Sequence, residues 1–324
     1  MALKCGKAPK VSQTKKLAEK INFKPAETLD EAVTFGKNNL GIQNYRGFET
    51  ADKDVVNYAN EAFVNVSNKM NGNTNLPKYL EFRNFEGGYA ATTTDGGIVL
   101  NKDFFLNIDR ELAGRLSVLE KQGVLIRNME NQIGVSEFID EAYAKDILKH
   151  IERYNKGEIS TFKDKMYLYN YFDEALQVGS APFNSPLKSI KAILNNNEAV
   201  KVLNSKGILT DIAQIEKLSP KEQVSLFKKM IKDGNLPVVF GEGAGKNVSP
   251  FHAIYHEVGH LNDNIVSGAW LNQTDKQIAG LVSNYAQSAP REFVAETYAK
   301  LIVGKKLPDE VLALYKKLNG PTVI

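Results

Sequence analysis

Three of this chain's four histidines fall within nine residues, at His252, His256 and His260. The last two frame a glutamate in His256-Glu257-Val258-Gly259-His260, an H-E-x-x-H pattern. On a helix, residues four apart sit one turn apart on the same face, with roughly 5–6 Å between Cβ atoms, so both imidazoles can reach one zinc ion. Glu257 follows the first ligand toward the same cleft, where it can take a proton from a zinc-bound water. Two histidines leave a catalytic zinc one protein ligand short, so a further ligand must come from a residue nearby or from a segment downstream. A random chain of this length and composition shows the pattern about three times in a thousand.

The flanking residues support a helix packed on a core. Ser249 and Pro250 read as N-cap and first helical residue. Phe251, Ile254, Tyr255, Val258 and Leu261 then recur as an apolar stripe, with the histidines beside it on a face carrying Gly259. A glycine there costs the helix roughly 1 kcal/mol, which a close approach by another element would explain.

The 324 residues suffice for one large domain or two, and 43% hydrophobic with 24% charged residues is an ordinary globular balance. A net charge of +3 is too mild to argue for nucleic acid or a membrane surface as partner. No apolar run approaches the ~20 residues of a membrane helix, and the N-terminal stretch lacks the apolar region of a signal peptide. The default expectation is a cytoplasmic protein. Cys5 is the only cysteine, so the chain forms no internal disulfide.

Residues 1–25 read as a polar, basic, flexible tail. A short helix is expected at 29–38, opened by Asp30 and closed near Gly36. A second is expected at 51–71, with Val55, Val56, Tyr58, Ala59, Ala62, Phe63, Val66 and Met70 as its apolar face and Asn71-Gly72 as its stop. Three β-like runs follow, Tyr79 to Phe85, Tyr89 to Thr94 and Gly97 to Asn101. Gly87-Gly88 and Asp95-Gly96 separate them like the turns of a meander. From 103 to 232 the pattern is helical, with Ser219-Pro220-Lys221-Glu222 as a capping box and His150 read as a helix-surface residue. β character returns at Leu236 to Phe240, expected to pair with the strands of 79–101. The glycine-rich loop of 241–247 fails as a phosphate-binding loop because Lys246, Asn247 and Val248 stand where Gly-Lys-Ser/Thr is required.

The missing ligand has few sources. A third histidine six residues after His260 is ruled out by Val266. Asp263, three residues after His260, suits a hydrogen bond to a ligand histidine better than ligation. Glu292 and Glu296 lie one turn apart on a second helix that Ser288 and Pro290 introduce, with Ala295 and Ala299 on the same face. That face can pack against Gly259, so that one carboxylate completes the coordination and the other bonds a histidine.

H-E-V-G-H followed by a tyrosine and then Glu292-Phe293-Val294-Ala295-Glu296 resembles the gluzincin-type zincin metallopeptidases. The likeness is to the catalytic domain of anthrax-toxin lethal factor and to related zincin-like domains of bacterial and phage proteins. It covers about residues 248–300. Val294 replaces the second phenylalanine of the family's E-F-F-A-E, and the spacing between the two motifs is shorter. The resemblance implies His256, His260 and Glu292 as zinc ligands, Glu257 as the base and Glu296 as a support to the ligands. It also implies Tyr285, seven residues before Glu292, as a donor to the oxyanion. His252 is either a second donor or a rim residue.

The expected fold is therefore α+β: a zincin-like catalytic domain with a small mixed sheet and active-site helices, formed by 26–102 plus 233–324. A large all-α insertion spans 103–232. The expected function is that of a zinc (Zn2+) endopeptidase hydrolysing a protein or peptide through a Glu257-activated water. The alternative is a non-catalytic zincin-like structural or partner-binding protein.

Overall fold

The computed structural model describes residues 20–86, 90–119, 141–184, 186–195, 197–234, 248–263, 268–270, 272–283 and 285–323. The expected strand at 236–240 and the loop at 241–247 lie outside the described residues, as do Cys5 and Gly87-Gly88. The fold is mixed α+β, mainly helical, with one four-stranded sheet. Among the described residues no helix is long and apolar enough to cross a membrane.

Helix α1 (Leu29–Leu40) opens at Thr28, not Asp30, because Thr28 and Glu31 form a reciprocal capping box. Such a cap is worth about 1 kcal/mol. The helix runs through Gly36 and ends at Gly41, whose φ of 71° suits a left-handed cap. Gly36 has a different purpose. A Cβ there would meet the Tyr45 hydroxyl, which donates to Asn60 Oδ1 at 3.1 Å, while Asn60 Nδ2 donates to Ala32 O at 2.7 Å. Absence of a side chain at Gly36 thus lets a fully buried asparagine lock α1 to helix α2 (Lys53–Lys69) with its polar groups satisfied. The predicted apolar face of α2 is buried throughout, and Asn71 and Gly72 take positive φ after its end. Asn57 and Asn68 clasp the backbone of Ala26 and Ile21 by paired amide bonds.

The meander is corrected. Strands β1 (Asn44–Arg46), β2 (Tyr79–Arg83), β3 (Ala91–Thr94) and β4 (Gly97–Asn101) stand in the order β1-β2-β4-β3. β1 and β2 pair in parallel, as do β2 and β4, and only β3–β4 is an antiparallel hairpin. Every residue of β4 is buried. A short strand apolar on both faces belongs inside a sheet with neighbours on both edges, so β4 inserts between β2 and β3. β1, absent from the sequence reading, is three residues long and has no apolar alternation to betray it.

The sheet, α1 and α2 share one apolar core with the helices His252–Asn262 and Pro290–Ile302. At its centre Tyr58, Phe105, Phe162 and Phe251 pack with ring centroids 5.2–5.9 Å apart. Two further apolar clusters lie within the helical stretch, one around Leu112, Leu168 and Phe172 and one around Ile190, Leu203 and Phe227. The long helix Phe162–Asn184 joins the first of these to the main core, where it contributes Phe162 and Met166. His150, expected at a helix surface, is instead packed on the Tyr171 ring at 4.7 Å, and burial lowers its pKa.

Candidate metal centre

Helix His252–Asn262, hereafter the histidine helix, starts two residues later than the sequence suggests. Ser249 Oγ accepts the Phe251 N–H in a preceding turn, and Phe251 itself occupies the cap position. Tyr58 OH and Asn170 Nδ2 both donate to Pro250 O, which fixes the direction in which the helix sets out. The glutamate helix, Pro290–Ile302, begins with proline at its first turn as expected.

These two helices lie against each other where glycine permits it. A Cβ on Gly259 would stand 2.9 Å from Ala295 Cα and 3.3 Å from Ala295 O. Ala295 and Ala299 are buried on the facing surface. The close approach brings two carboxylates onto three imidazoles. Glu292 Oε2 lies 3.1 Å from His256 Nε2 and 3.2 Å from His260 Nε2. Glu296 Oε1 lies 3.0 Å from His256 Nδ1 and 3.0 Å from His252 Nε2. Asp263 Oδ2 lies 3.1 Å from His260 Nδ1 and accepts from Arg291 Nε at 3.0 Å.

Two sets of groups could hold a metal ion, His256, His260 and Glu292, or His252, His256 and Glu296, with ligand atoms within 4.8 Å of one another in each. They share His256 through its opposite nitrogens. The first set fits better. In it both imidazoles present Nε2 while each Nδ1 faces a carboxylate, Glu296 or Asp263, the arrangement that fixes tautomer and ring orientation at metal sites. Ligand atoms on a tetrahedral ion with bonds near 2.0–2.2 Å stand roughly 3.3–3.5 Å apart. The 3.1 and 3.2 Å contacts of Glu292 need only a small expansion to reach that spacing.

The electrostatics are those of a site built for positive charge. Burial works against a charged His256, but hydrogen bonds to Glu292 and Glu296 outweigh it and push its pKa up to about 10. His260 is likewise raised by Asp263 and Glu292 against burial. Burial favours the neutral forms of Glu292, Glu296 and Asp263, yet their cationic partners hold all three below the usual carboxylate range.

Glu257 is 7% exposed and opens onto a cleft of about 330 Å³. Its carboxylate accepts a hydrogen bond of 2.6 Å from Thr93 Oγ1 on β3. Tyr285 lies in a 3-10 turn (Tyr285–Gln287), with its ring centroid 5.7 Å from that of His256, and is 38% exposed on the same cleft. All eight residues singled out in the sequence thus converge: His252, His256, Glu257, His260, Tyr285, Glu292 and Glu296 line the cleft, and Asp263 supports it from behind His260. Sequence reasoning missed Thr93, Arg291 and a second wall, formed by Arg115, Tyr169, Asn170 and Asp173 from the helical stretch. Arg291 directly precedes the Glu292 motif but acts through its tertiary bond to Asp263, and the others stand on segments without a motif. The Thr-rich run of β3 was legible only as a strand.

Compared with protein-family models, with curated proteins and with solved structures, the chain matches none of them.

Proposed function

We propose that this chain is a zinc-dependent endopeptidase of zincin-like, gluzincin-type architecture, acting on a protein or peptide substrate. One observation carries the reading: Glu292 Oε2 lies between His256 Nε2 and His260 Nε2, and Glu257 opens onto the same cleft beside them. Two imidazoles and one carboxylate, with no thiolate, suit a catalytic zinc that keeps a position for water or substrate better than a closed structural site. When bound, zinc supplies a Lewis acid that polarises the scissile carbonyl and lowers the pKa of water toward ~7.

The remaining steps belong to the protein. Glu257 accepts the proton of the attacking water and passes it to the leaving amine. Tyr285, exposed on the cleft next to His256, donates to the oxyanion as the carbonyl becomes tetrahedral. Glu296 and Asp263 hold the two ligand imidazoles by their Nδ1 atoms. β3 is the end strand of the described sheet and lines the cleft through Ala91, Thr92 and Thr93, so an extended peptide can lie along it by backbone pairing.

A library of fluorogenic peptides tests the proposal. Cleavage is expected, lost on treatment with a chelator and restored by zinc. Glu257→Gln is expected to abolish it, by about 10²–10⁴-fold, with zinc retained. Stoichiometric zinc with no cleavage of any peptide would favour a partner-binding protein that keeps this architecture.

A further inference from the structure

We infer that Thr93 is the positioning residue for Glu257; this rests on the endopeptidase reading and deepens it. Thr93 stands on β3, 164 residues away in sequence, and its Oγ1 reaches both Glu257 Oε2 at 2.6 Å and Glu257 O at 3.0 Å. A hydroxyl has one proton to give. The contact to the carboxylate oxygen is the shorter of the two, so the proton belongs chiefly to it. Among the described residues, Thr93 is the donor that the structure shows on this carboxylate.

A glutamate loses more rotamer freedom than most side chains when it is fixed, and one at the edge of a cleft has alternatives that turn it away from the reacting atoms. A single strong bond to Oε2 removes those alternatives and leaves the other oxygen for the water. The donor is itself well anchored. Thr93 pairs with Ile98 of β4, so the orientation of Glu257 is tied to the strand of the sheet that is buried along its whole length. General-base catalysis demands hydrogen-bond reach to the proton removed, and a displacement of about 1 Å costs on the order of a hundredfold.

The test compares Thr93→Val, which keeps the shape and removes the hydroxyl, with Thr93→Ser, which keeps the hydroxyl. Three readouts are taken: zinc content, the Kd of acetohydroxamate, and kcat and KM on a peptide from the library. Acetohydroxamic acid chelates zinc by losing its O–H proton, which a correctly placed Glu257 accepts, so its affinity reports on that carboxylate without turnover. Expected for Thr93→Val are full zinc content, kcat down about 10–30-fold with KM within twofold, and acetohydroxamate weaker by about tenfold. Thr93→Ser is expected to restore both.

Thr93→Val behaving as wild type, or falling together with Thr93→Ser, overturns the inference while the endopeptidase reading stands. Wild type that binds zinc and acetohydroxamate but cleaves no peptide overturns the reading, and the acetohydroxamate comparison still decides for or against Thr93. Wild type that binds no zinc overturns both. If Thr93→Val loses zinc through misfolding, Thr93→Ala against Thr93→Ser decides on the same criteria.

Discussion

Two walls of the cleft are organised differently. On one, the histidine and glutamate helices aim their polar atoms at a common point: Glu292 Oε2 faces two Nε2 atoms, and Glu296 and Asp263 back the same imidazoles. On the other, the polar groups satisfy one another. Arg115 donates to Tyr169 OH at 2.8 Å, pairs with Asp173 at 3.0 Å and stacks over the Tyr169 ring at 5.1 Å. Convergence leaves affinity for something else, a cation. Mutual pairing leaves shape and a near-neutral surface. On the endopeptidase proposal, the first wall sets which ion binds and what is done with it, and the second which substrate fits.

His256→Ala breaks the comparison most severely, because His256 belongs to both candidate ligand sets. Metal affinity is expected to fall by more than about a hundredfold, beyond the range seen for supporting residues, in a competition titration against a chromogenic chelator. Asp263→Asn keeps the shape of a supporting residue and removes its charge. It should weaken the metal by about 10–100-fold without changing stoichiometry. Arg115→Ala should leave metal affinity within about twofold and act on KM alone. A metal affinity that tracked Arg115 would show the two walls to be one coupled unit.

Acid and metal compete for the same nitrogens. Carboxylate partners outweigh burial to hold His256 protonated up to about 10 and raise His260 as well. Metal uptake at pH 7 must therefore expel at least one proton. Titration calorimetry in buffers of different ionisation enthalpy should show that release, with affinity rising with pH. Without metal the linkage acts on folding. A histidine raised from 6.5 contributes stability that is full below that value and lost as pH rises through about 10. Glu292 and Glu296, lowered from 4.5, contribute above that value and lose their effect as pH falls. Chelator-treated protein should be most favoured by this cluster between about 4.5 and 6.5, and added metal should move the optimum upward.

The converging wall was legible in the sequence because its parts obey helical spacing. Spacing alone put His256 and His260 on one turn-to-turn face, Glu292 and Glu296 on another, and Gly259 and Ala295 where the two helices meet. The start of the histidine helix was not legible, since Ser249 spends its hydroxyl on a turn before the helix begins. Sheet order failed for a similar reason. The turn at Asp95-Gly96 marks the β3–β4 hairpin, but nothing local tells β2 to pair in parallel with β4. Thr93, Arg115 and Tyr169 were invisible as site residues because each stands on a segment that carries no motif and reaches the site only through tertiary contacts.

The smallest expected effect lies where the two walls touch. Asn170, on the helix that carries Tyr169 and Asp173, donates its amide to Ser249 O at 2.9 Å and Pro250 O at 3.1 Å, the carbonyls just ahead of the histidine helix. Pro250 O keeps a second donor, Tyr58 OH at 2.7 Å, so the helix entry does not depend on Asn170 alone. Asn170→Ala removes one half-buried amide and leaves two carbonyls that water can reach in part, a loss of about 1 kcal/mol. In a chain of this size that is a fall of roughly 2 °C in melting temperature. Metal affinity should change by less than about threefold, because His256, His260 and Glu292 are held by Glu296, Asp263 and the Gly259–Ala295 contact, none of which involves Asn170. A metal affinity that fell by tenfold or more in this variant, with folding intact, would mean that the helical wall sets the geometry of the ion as well as the shape of the cleft.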